Sequence, residues 1–190
     1  MVRELIIRPA ERRDAAELAI LVDLSSHGFA AWFWQAAVVD GSVDTALEQG
    51  RLLMRDDPRE GWQGAALAEW NGDVAGVSIG YRLDDSIRDQ SAPHPAVEPI
   101  LTLQRRVVGN RFIDSLGVYR EYRGKGIGRA LVEHEIARAE GMPVSLITES
   151  DNGAALALYR ACGFAEVARV PAMPLDQKRH DWVLLTRNPA

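Results

Sequence analysis

Residues 115–129 read Ser-Leu-Gly-Val-Tyr-Arg-Glu-Tyr-Arg-Gly-Lys-Gly-Ile-Gly-Arg, the most informative part of the sequence. Alternating apolar residues from Arg111 to Tyr119 predict a strand, and glycines after a short turn open a helix predicted over Gly124 to Glu140. A helix start leaves backbone N–H groups without partners and adds a partial positive charge, and glycines let a phosphate come close to those donors. The stretch therefore predicts an anion site. Its cationic side chains are Arg123, Lys125 and Arg129.

The glycine spacing distinguishes three kinds of phosphate loop. A Walker A loop needs Ser or Thr after its lysine, but Gly126 follows Lys125. The dinucleotide fingerprint needs a third glycine where this chain has Arg129. The pattern that remains is Arg-x-x-Gly-x-Gly, formed by Arg123, Gly126 and Gly128. It resembles the pyrophosphate loop of the GNAT superfamily of acetyl-CoA-dependent N-acetyltransferases.

A second block, residues 148–164, resembles the other signature of that superfamily. A strand leads to Asn152 at a helix start, Tyr159 follows seven residues later, and Gly163-Phe164 ends the helix. The two blocks together identify the chain as a member of the superfamily, with the sharpest resemblance over about Arg111 to Val167.

The resemblance implies a mixed α/β fold with a largely antiparallel, centrally splayed sheet flanked by helices. The length of 190 residues favours a single N-acetyltransferase domain over 1–190. Within it, Asp84 to Asn110 has no counterpart in the family's minimal pattern, and we expect an excursion with one helix, a possible lid over the acceptor site.

The remaining helices and strands are predicted from the periodicity of apolar residues and from turn-forming residues. Asn71-Gly72 predicts a hairpin between Ala65–Trp70 and Val74–Leu83. Asp14 and Glu17 have capping-box spacing at the start of one helix, and Ser42 is the predicted cap of another. Further strands are predicted at Glu4–Arg8, Val144–Thr148, Phe164–Val170 and Trp182–Thr186.

The resemblance makes acetyl-CoA the co-substrate and assigns its contacts. Backbone groups of the strand would bond the pantetheine arm, the glycine turn would hold the pyrophosphate, and Asn152 would bond the pantetheine amides. The predicted cofactor-binding residues are Leu116, Gly117, Val118, Arg123, Gly124, Lys125, Gly126, Ile127, Gly128, Arg129, Asn152 and Tyr159.

In the family, the acceptor amine attacks the thioester carbonyl directly in a ternary complex. Tyr159 lies two helical turns beyond Asn152 on the same face, so it can reach the thioester sulfur as an acid or as a hydrogen-bond donor. Two plainer interpretations stay open: Tyr159 as a core aromatic with a satisfied hydroxyl, and Asn152 as a helix cap alone.

No motif in the sequence identifies the general base. An aliphatic amine with a pKa of about 10.4 must lose a proton before it attacks, so a carboxylate or a water chain is expected near the acetyl group. Asp114 is the first candidate because it shares a strand face with Leu116. Glu98 and Glu149 are weaker candidates, and each could be structural.

The amino-acid composition limits the classes of partner that we expect the chain to bind. The chain has 22 Lys plus Arg against 27 Asp plus Glu, a net charge of -5, so we expect no nucleic acid partner. No apolar window is long enough to span a bilayer, and we expect a cytoplasmic protein without a membrane partner. With a single cysteine, Cys162, we expect no internal disulfide. The four histidines are scattered along the chain, so we expect no metal site. Homodimerisation is expected from the resemblance only.

The acceptor is the part that the sequence leaves open. A small primary amine is our first expectation. The alternatives are a non-catalytic module that senses acetyl-CoA or CoA, and an enzyme that acts on a protein or peptide amine. The aromatic cluster Phe29, Trp32, Phe33 and Trp34 could line an acceptor pocket, or it could belong to the core or to a dimer surface.

Overall fold

A computed structural model describes residues 4–58, 61–173 and 180–189. Within them lie seven strands: β1 (Leu5–Pro9), β2 (Ala65–Trp70), β3 (Asp73–Arg82), β4 (Arg111–Val118), β5 (Val144–Glu149), β6 (Ala165–Pro171) and β7 (Asp181–Arg187). The α-helices of this part of the chain are α1 (Ala15–Ser25), α2 (Phe29–Val39), α3 (Ala46–Asp56), α4 (Glu98–Gln104), α5 (Ile127–Ala137) and α6 (Gly153–Ala161). The mixed α/β fold class predicted from the sequence is confirmed.

The chain forms two compact units. The first contains residues 1–81 and 115–134, and the second contains residues 82–114 and 135–190. In the first unit, β1 pairs antiparallel with β2, β2 pairs antiparallel with β3, and the 115–118 half of β4 follows β3 in the order of the sheet. The N–H group of Tyr119, just after β4, donates to the carbonyl of Ala75 at 2.9 Å.

The second unit contains the other half of β4 and the remaining strands. Its only parallel pair among the described residues is β4 with β5, with a register from Arg111↔Val144 to Ile113↔Leu146. β5 and β6 both pair antiparallel with β7. β6 is therefore an edge strand of this unit.

Each unit buries its own apolar residues. In the first unit, Leu18 and Leu21 of α1 pack against β2 and β3, and Trp34 of α2 joins the same cluster. A second cluster joins Ile127 and Leu131 of α5 to Ala68 and Ala75. In the second unit, Leu146, Leu184 and Leu185 are almost fully buried in β5 and β7.

The hairpin forms as predicted. Asn71 and Gly72 both have positive φ, 53° and 92°, which matches the twist of the strands they connect. The 84–110 excursion contains α4 and short 3-10 turns. Its base is closed by two backbone bonds: Leu83 N–H donates to Asn110 at 3.0 Å, and Gly109 N–H donates to Leu83 at 2.7 Å.

Both cap predictions were wrong in detail. The Asp14 carboxylate accepts from Arg8 at 2.7 Å and from the Glu11 N–H at 2.7 Å, so it does not cap α1. Helix α3 begins after Thr45, whose hydroxyl accepts from the Glu48 N–H at 3.1 Å, and not after Ser42. No side chain caps α1, whereas at α3 a threonine three residues after Ser42 makes the capping bond.

One helix boundary and one whole helix also differ from the prediction. Helix α5 begins at Ile127 and not at Gly124, because Gly124 and Gly126 have φ values of 75° and 84°, outside the helical region. Helix α2 was not predicted at all. All its residues except Gln35 are apolar, and such a run gives no helical periodicity.

Candidate active site

The glycine turn before α5 exposes a set of backbone donors. The first backbone bond of the helix joins the Ala130 N–H to the Gly126 carbonyl at 3.0 Å. The N–H groups of the three residues between them therefore lie in the first helical turn, where no intrahelical acceptor exists. A Cβ atom built on Gly124 or on Gly126 would meet nothing within 4 Å, so the space beside the turn is open. These features suit an anion.

The side chains of the turn are partly committed to the protein. Arg123 donates through Nε to the Val118 carbonyl at 3.1 Å. Lys125 donates to the Glu121 carbonyl, and its ammonium lies 4.9 Å from the centre of the Tyr122 ring. Both cations thereby brace the turn while keeping their charge. Arg129 is exposed, with the Glu133 carboxylate at 3.9 Å.

The strand that enters the turn packs closely against α1. A Cβ atom on Gly117 would lie 2.9 Å from the Leu21 carbonyl oxygen, so any side chain here would require a shift of backbone. Leu116 and Val118 are half-buried and pack against the Ile127 cluster. The absence of a side chain at 117 lets the helix and the strand approach at this point.

Tyr119, the residue that follows β4, is held in place by a hydrogen bond to α1. Its hydroxyl donates to the Glu17 carboxylate at 2.6 Å, and burial together with this carboxylate raises the pKa of the phenol above its usual value. The partners are 102 residues apart, so sequence reasoning missed this contact. The Tyr122–Lys125 pair was also missed, although an aromatic and a cation three residues apart are a detectable signal.

Asn152 begins α6 in the second unit. Its side-chain oxygen accepts from the Ala155 N–H at 3.2 Å, and its carbonyl accepts from the Leu156 N–H at 3.0 Å. The capping role that the sequence allowed is therefore present. The Asn152 amide has a separate NH₂ group, so capping does not prevent it from donating to a ligand.

Tyr159 lies on the same helix and is 7% exposed. Its ring centre is 6.1 Å from that of Phe164. Burial raises the pKa of the hydroxyl to about 12, and the nearby Cys162 thiol contributes in the same direction. The phenol therefore keeps its proton at any physiological pH, as an acid or a hydrogen-bond donor must.

The three carboxylates proposed as bases have different surroundings. Asp114 is exposed on β4, between buried neighbours Ile113 and Ser115. Glu98 is held by Arg105, whose Nη1 donates to it at 2.7 Å, and this ion pair favours a structural role. Glu149 is half-buried at the end of β5.

The predicted residues fall into two groups. Leu116, Gly117, Val118 and the 123–129 turn belong to the first unit, where they form one continuous segment. Asp114, Asn152, Tyr159 and the weaker candidates Glu98 and Glu149 belong to the second. Among the described residues, no group of three or more His, Cys, Asp or Glu side chains is placed to hold a metal ion. No helix in the described part of the chain is long and apolar enough to cross a membrane.

The chain belongs to the GNAT acetyltransferase family, because the family model matches residues 27–164. This is a family of acetyltransferases that use acetyl-CoA. Over 55 residues it is 46% identical to RimI, an N-alpha-acetyltransferase of Mycobacterium tuberculosis H37Rv. That match covers 29% of this chain and 35% of the relative, so the chain spans about a third of the length of the curated relative.

Two solved structures support the fold. An N-acetyltransferase from Staphylococcus aureus Mu50 superposes with a TM-score of 0.65 at 20% identity, over 95% of this chain and 99% of that one. Naa50 of Arabidopsis thaliana, solved with the bisubstrate analogue CoA-Ac-MVNAL, superposes with a TM-score of 0.61 at 15% identity, over 97% and 98% of the two chains.

Proposed function

We propose that this protein transfers the acetyl group of acetyl-CoA to the primary amine of a small molecule, by direct attack in a ternary complex. The observation that carries the proposal is the glycine turn before α5, whose first-turn N–H groups border open space in a chain of the GNAT family. A CoA pyrophosphate is the anion that such a turn would hold in this family.

The same residues are proposed to bind the rest of acetyl-CoA. Residues 124–129 hold the pyrophosphate through backbone donors, and Arg129 adds an exposed positive charge. Backbone groups of Leu116, Gly117 and Val118 bond the pantetheine arm. The register of β4 with β5 ends at Ile113, and the splay that we expect in the sheet begins beyond it. Asn152 then donates its NH₂ group to a pantetheine amide.

Two side chains are proposed to move protons. The amine nitrogen bonds to the thioester carbonyl carbon, the C–S bond breaks, and the products are an amide and CoA thiol. Tyr159 donates its proton, or a hydrogen bond, to the departing thiolate, and its raised pKa keeps that proton available. Asp114 accepts the proton that the amine loses, directly or through water, and its exposure leaves it reachable.

The two units are proposed to form one acetyltransferase domain over 1–190, because the family match at 27–164 includes residues of both. The 84–110 excursion is proposed as a lid over the acceptor. A cytoplasmic homodimer remains our expectation, and light scattering coupled to gel filtration would measure the mass of the assembly directly.

A second candidate acceptor is the α-amine of a peptide or protein. The relatives favour it: one is an N-alpha-acetyltransferase, and Naa50 was solved with an analogue that joins CoA to a peptide. The first match is limited to 55 residues. Since family members share the cofactor-binding half, a short match of this kind does not fix the acceptor.

The test is release of thiol from acetyl-CoA near pH 8 with polyamines, amino acids, aminoglycosides and short peptides, beside a control without acceptor. Release with a small amine supports the proposal, and release with peptides alone replaces it by the second candidate. If no acceptor is acetylated by a sample that acetyl-CoA stabilises against heat, the chain binds the co-substrate without transferring its acetyl group to these amines.

A further inference from the structure

The second unit contains a groove that the family's minimal pattern does not account for. One wall is the excursion and the other is the end of the edge strand β6, and the groove has a volume of about 840 Å³. This volume lies within the range of small-ligand sites, roughly 300 to 1,000 Å³. Its lining includes apolar Pro95, Val170 and Pro171 and polar Asp89, Glu98 and Thr102.

The groove lies at the end of the sheet from which α6 starts. Val170 of β6 is opposite Trp182 of β7, and Trp182 is opposite Glu149 of β5, so the three residues form one row. Strands in a sheet are about 4.8 Å apart, which places the Val170 and Glu149 backbones about 10 Å apart. Asn152, proposed to bind the pantetheine, follows Glu149 by three residues.

The excursion wall is held in place by one arginine. Arg105 donates to the Glu98 carboxylate at 2.7 Å, to the Gln90 carbonyl at 2.8 Å and to the Ile87 carbonyl at 3.4 Å. These three acceptors lie on α4, on the loop before it and on the preceding 3-10 turn. Hydrogen bonds therefore hold the wall together before any ligand binds, which lowers the entropy cost of ordering it on binding.

The charge left for a ligand is negative. The two cations of the lining are committed to the protein: Arg105 as described, and Arg88 through a bond to Asp85 at 3.0 Å. The Asp89 carboxylate has no ion-pair partner in the part of the chain that the structure describes. Asp89 can therefore pair with a cation from outside.

We infer that this groove binds the acceptor and selects an aliphatic diamine: one amine reacts, the carbon chain lies on the apolar lining, and the second ammonium pairs with Asp89. The inference rests on the proposed function and names the substrate class. A monoamine lacks the second charge, and an amino acid of the same length would bring a carboxylate towards Asp89.

The experiment compares three acceptors with the same six-carbon chain: 1,6-diaminohexane, hexylamine and 6-aminohexanoate. The expected order of kcat/KM is the order in which they are named. Because Asp89 is exposed, the diamine should exceed the monoamine by about threefold to fivefold at low salt, and less at high salt. Asp89→Asn should reduce this preference to the factor of about two that the two equivalent amines of the diamine give, whereas Asp44→Asn, an equal change in net charge elsewhere, should keep it.

A second variant tests the groove by its volume. Thr102→Trp should narrow the groove where the carbon chain would lie and lower kcat/KM for all three amines more than tenfold, without changing the KM for acetyl-CoA. Arg106→Trp is the matched control, since Arg106 is exposed on the same segment and outside the lining. Melting temperatures with and without acetyl-CoA show that each variant is folded and still binds the co-substrate.

The outcomes separate the two proposals. If the wild type acetylates all three acceptors with equal kcat/KM per amine group, or if Thr102→Trp behaves as Arg106→Trp does, the groove assignment is wrong and the proposed transfer to amines stands. If the wild type acetylates none of these amines and none of the wider panel, the proposed function is wrong, and the groove assignment falls with it.

Discussion

Gly126 offers the sharpest test of the pyrophosphate turn. Its φ of 84° lies in the left-handed region, where a residue other than glycine costs about 1–2 kcal/mol, and a Cβ atom there would meet nothing within 4 Å. Gly126→Ala should therefore lower the melting temperature of the free protein and still allow acetyl-CoA to bind. Gly126→Glu adds a negative charge and bulk where the pyrophosphate would lie, and should remove binding.

The magnitudes can be stated in advance. Acetyl-CoA at 100 times its Kd should stabilise the wild type by about 2.7 kcal/mol. For a chain of this size each kcal/mol moves the melting temperature by about 2–4 °C, so the shift should be about 5–11 °C. The assay is a melting curve with and without acetyl-CoA. If Gly126→Glu keeps the wild-type shift, the assignment of the turn is refuted. If Gly126→Ala loses the shift as well, strain rather than charge explains the loss.

Three further predictions concern the second unit. Tyr159→Phe keeps the ring beside Phe164 and should lower kcat at least tenfold with little change in the KM for acetyl-CoA, and an unchanged kcat would remove the acid role. The pKa of the Tyr159 hydroxyl is about 12 in the folded protein and about 10 in the unfolded chain. The stabilisation of the folded state that this difference gives is therefore complete below pH 10 and is lost between pH 10 and 12. The free energy of unfolding of the wild type should therefore fall by about 1 kcal/mol more than that of Tyr159→Phe between pH 9 and 11, measured in urea; parallel curves would contradict the shift. Arg111→Met removes the main partner of Glu135, which is fully buried and 2.5 Å from Arg111, and should cost about 3–5 kcal/mol, whereas Arg111→Met with Glu135→Leu should recover most of this loss.

The sequence predicted correctly those elements whose conformation depends on residues next to one another in the chain. The Asn71-Gly72 hairpin was predicted correctly because both residues tolerate positive φ, and this requirement is met within the turn itself. The glycine turn was also visible, although its helix begins three residues later than the pattern suggested.

Predictions that depended on distant partners failed. Asp14 and Glu17 have the spacing of a capping box, but Arg8 takes the first carboxylate and Tyr119 takes the second. The buried pair of Arg111 and Glu135 could not be foreseen either, since its members are 24 residues apart on a strand and a helix. Spacing along the chain gives the candidates for a hydrogen bond, and the fold chooses among them.

The two backbone bonds that join Leu83 to residues 109 and 110 give the excursion a stem of its own. The exposed residues 88–91 can change in length or composition while β3 and β4 keep their ends together, whereas Leu101 and Leu103 of α4 are buried and need their apolar neighbours. Evolution can therefore vary this exposed loop, and an engineer can exchange it between relatives while Ile87, Leu101 and Leu103 keep their packing. In this enzyme family, selectivity for the acceptor could then evolve without touching the glycine turn.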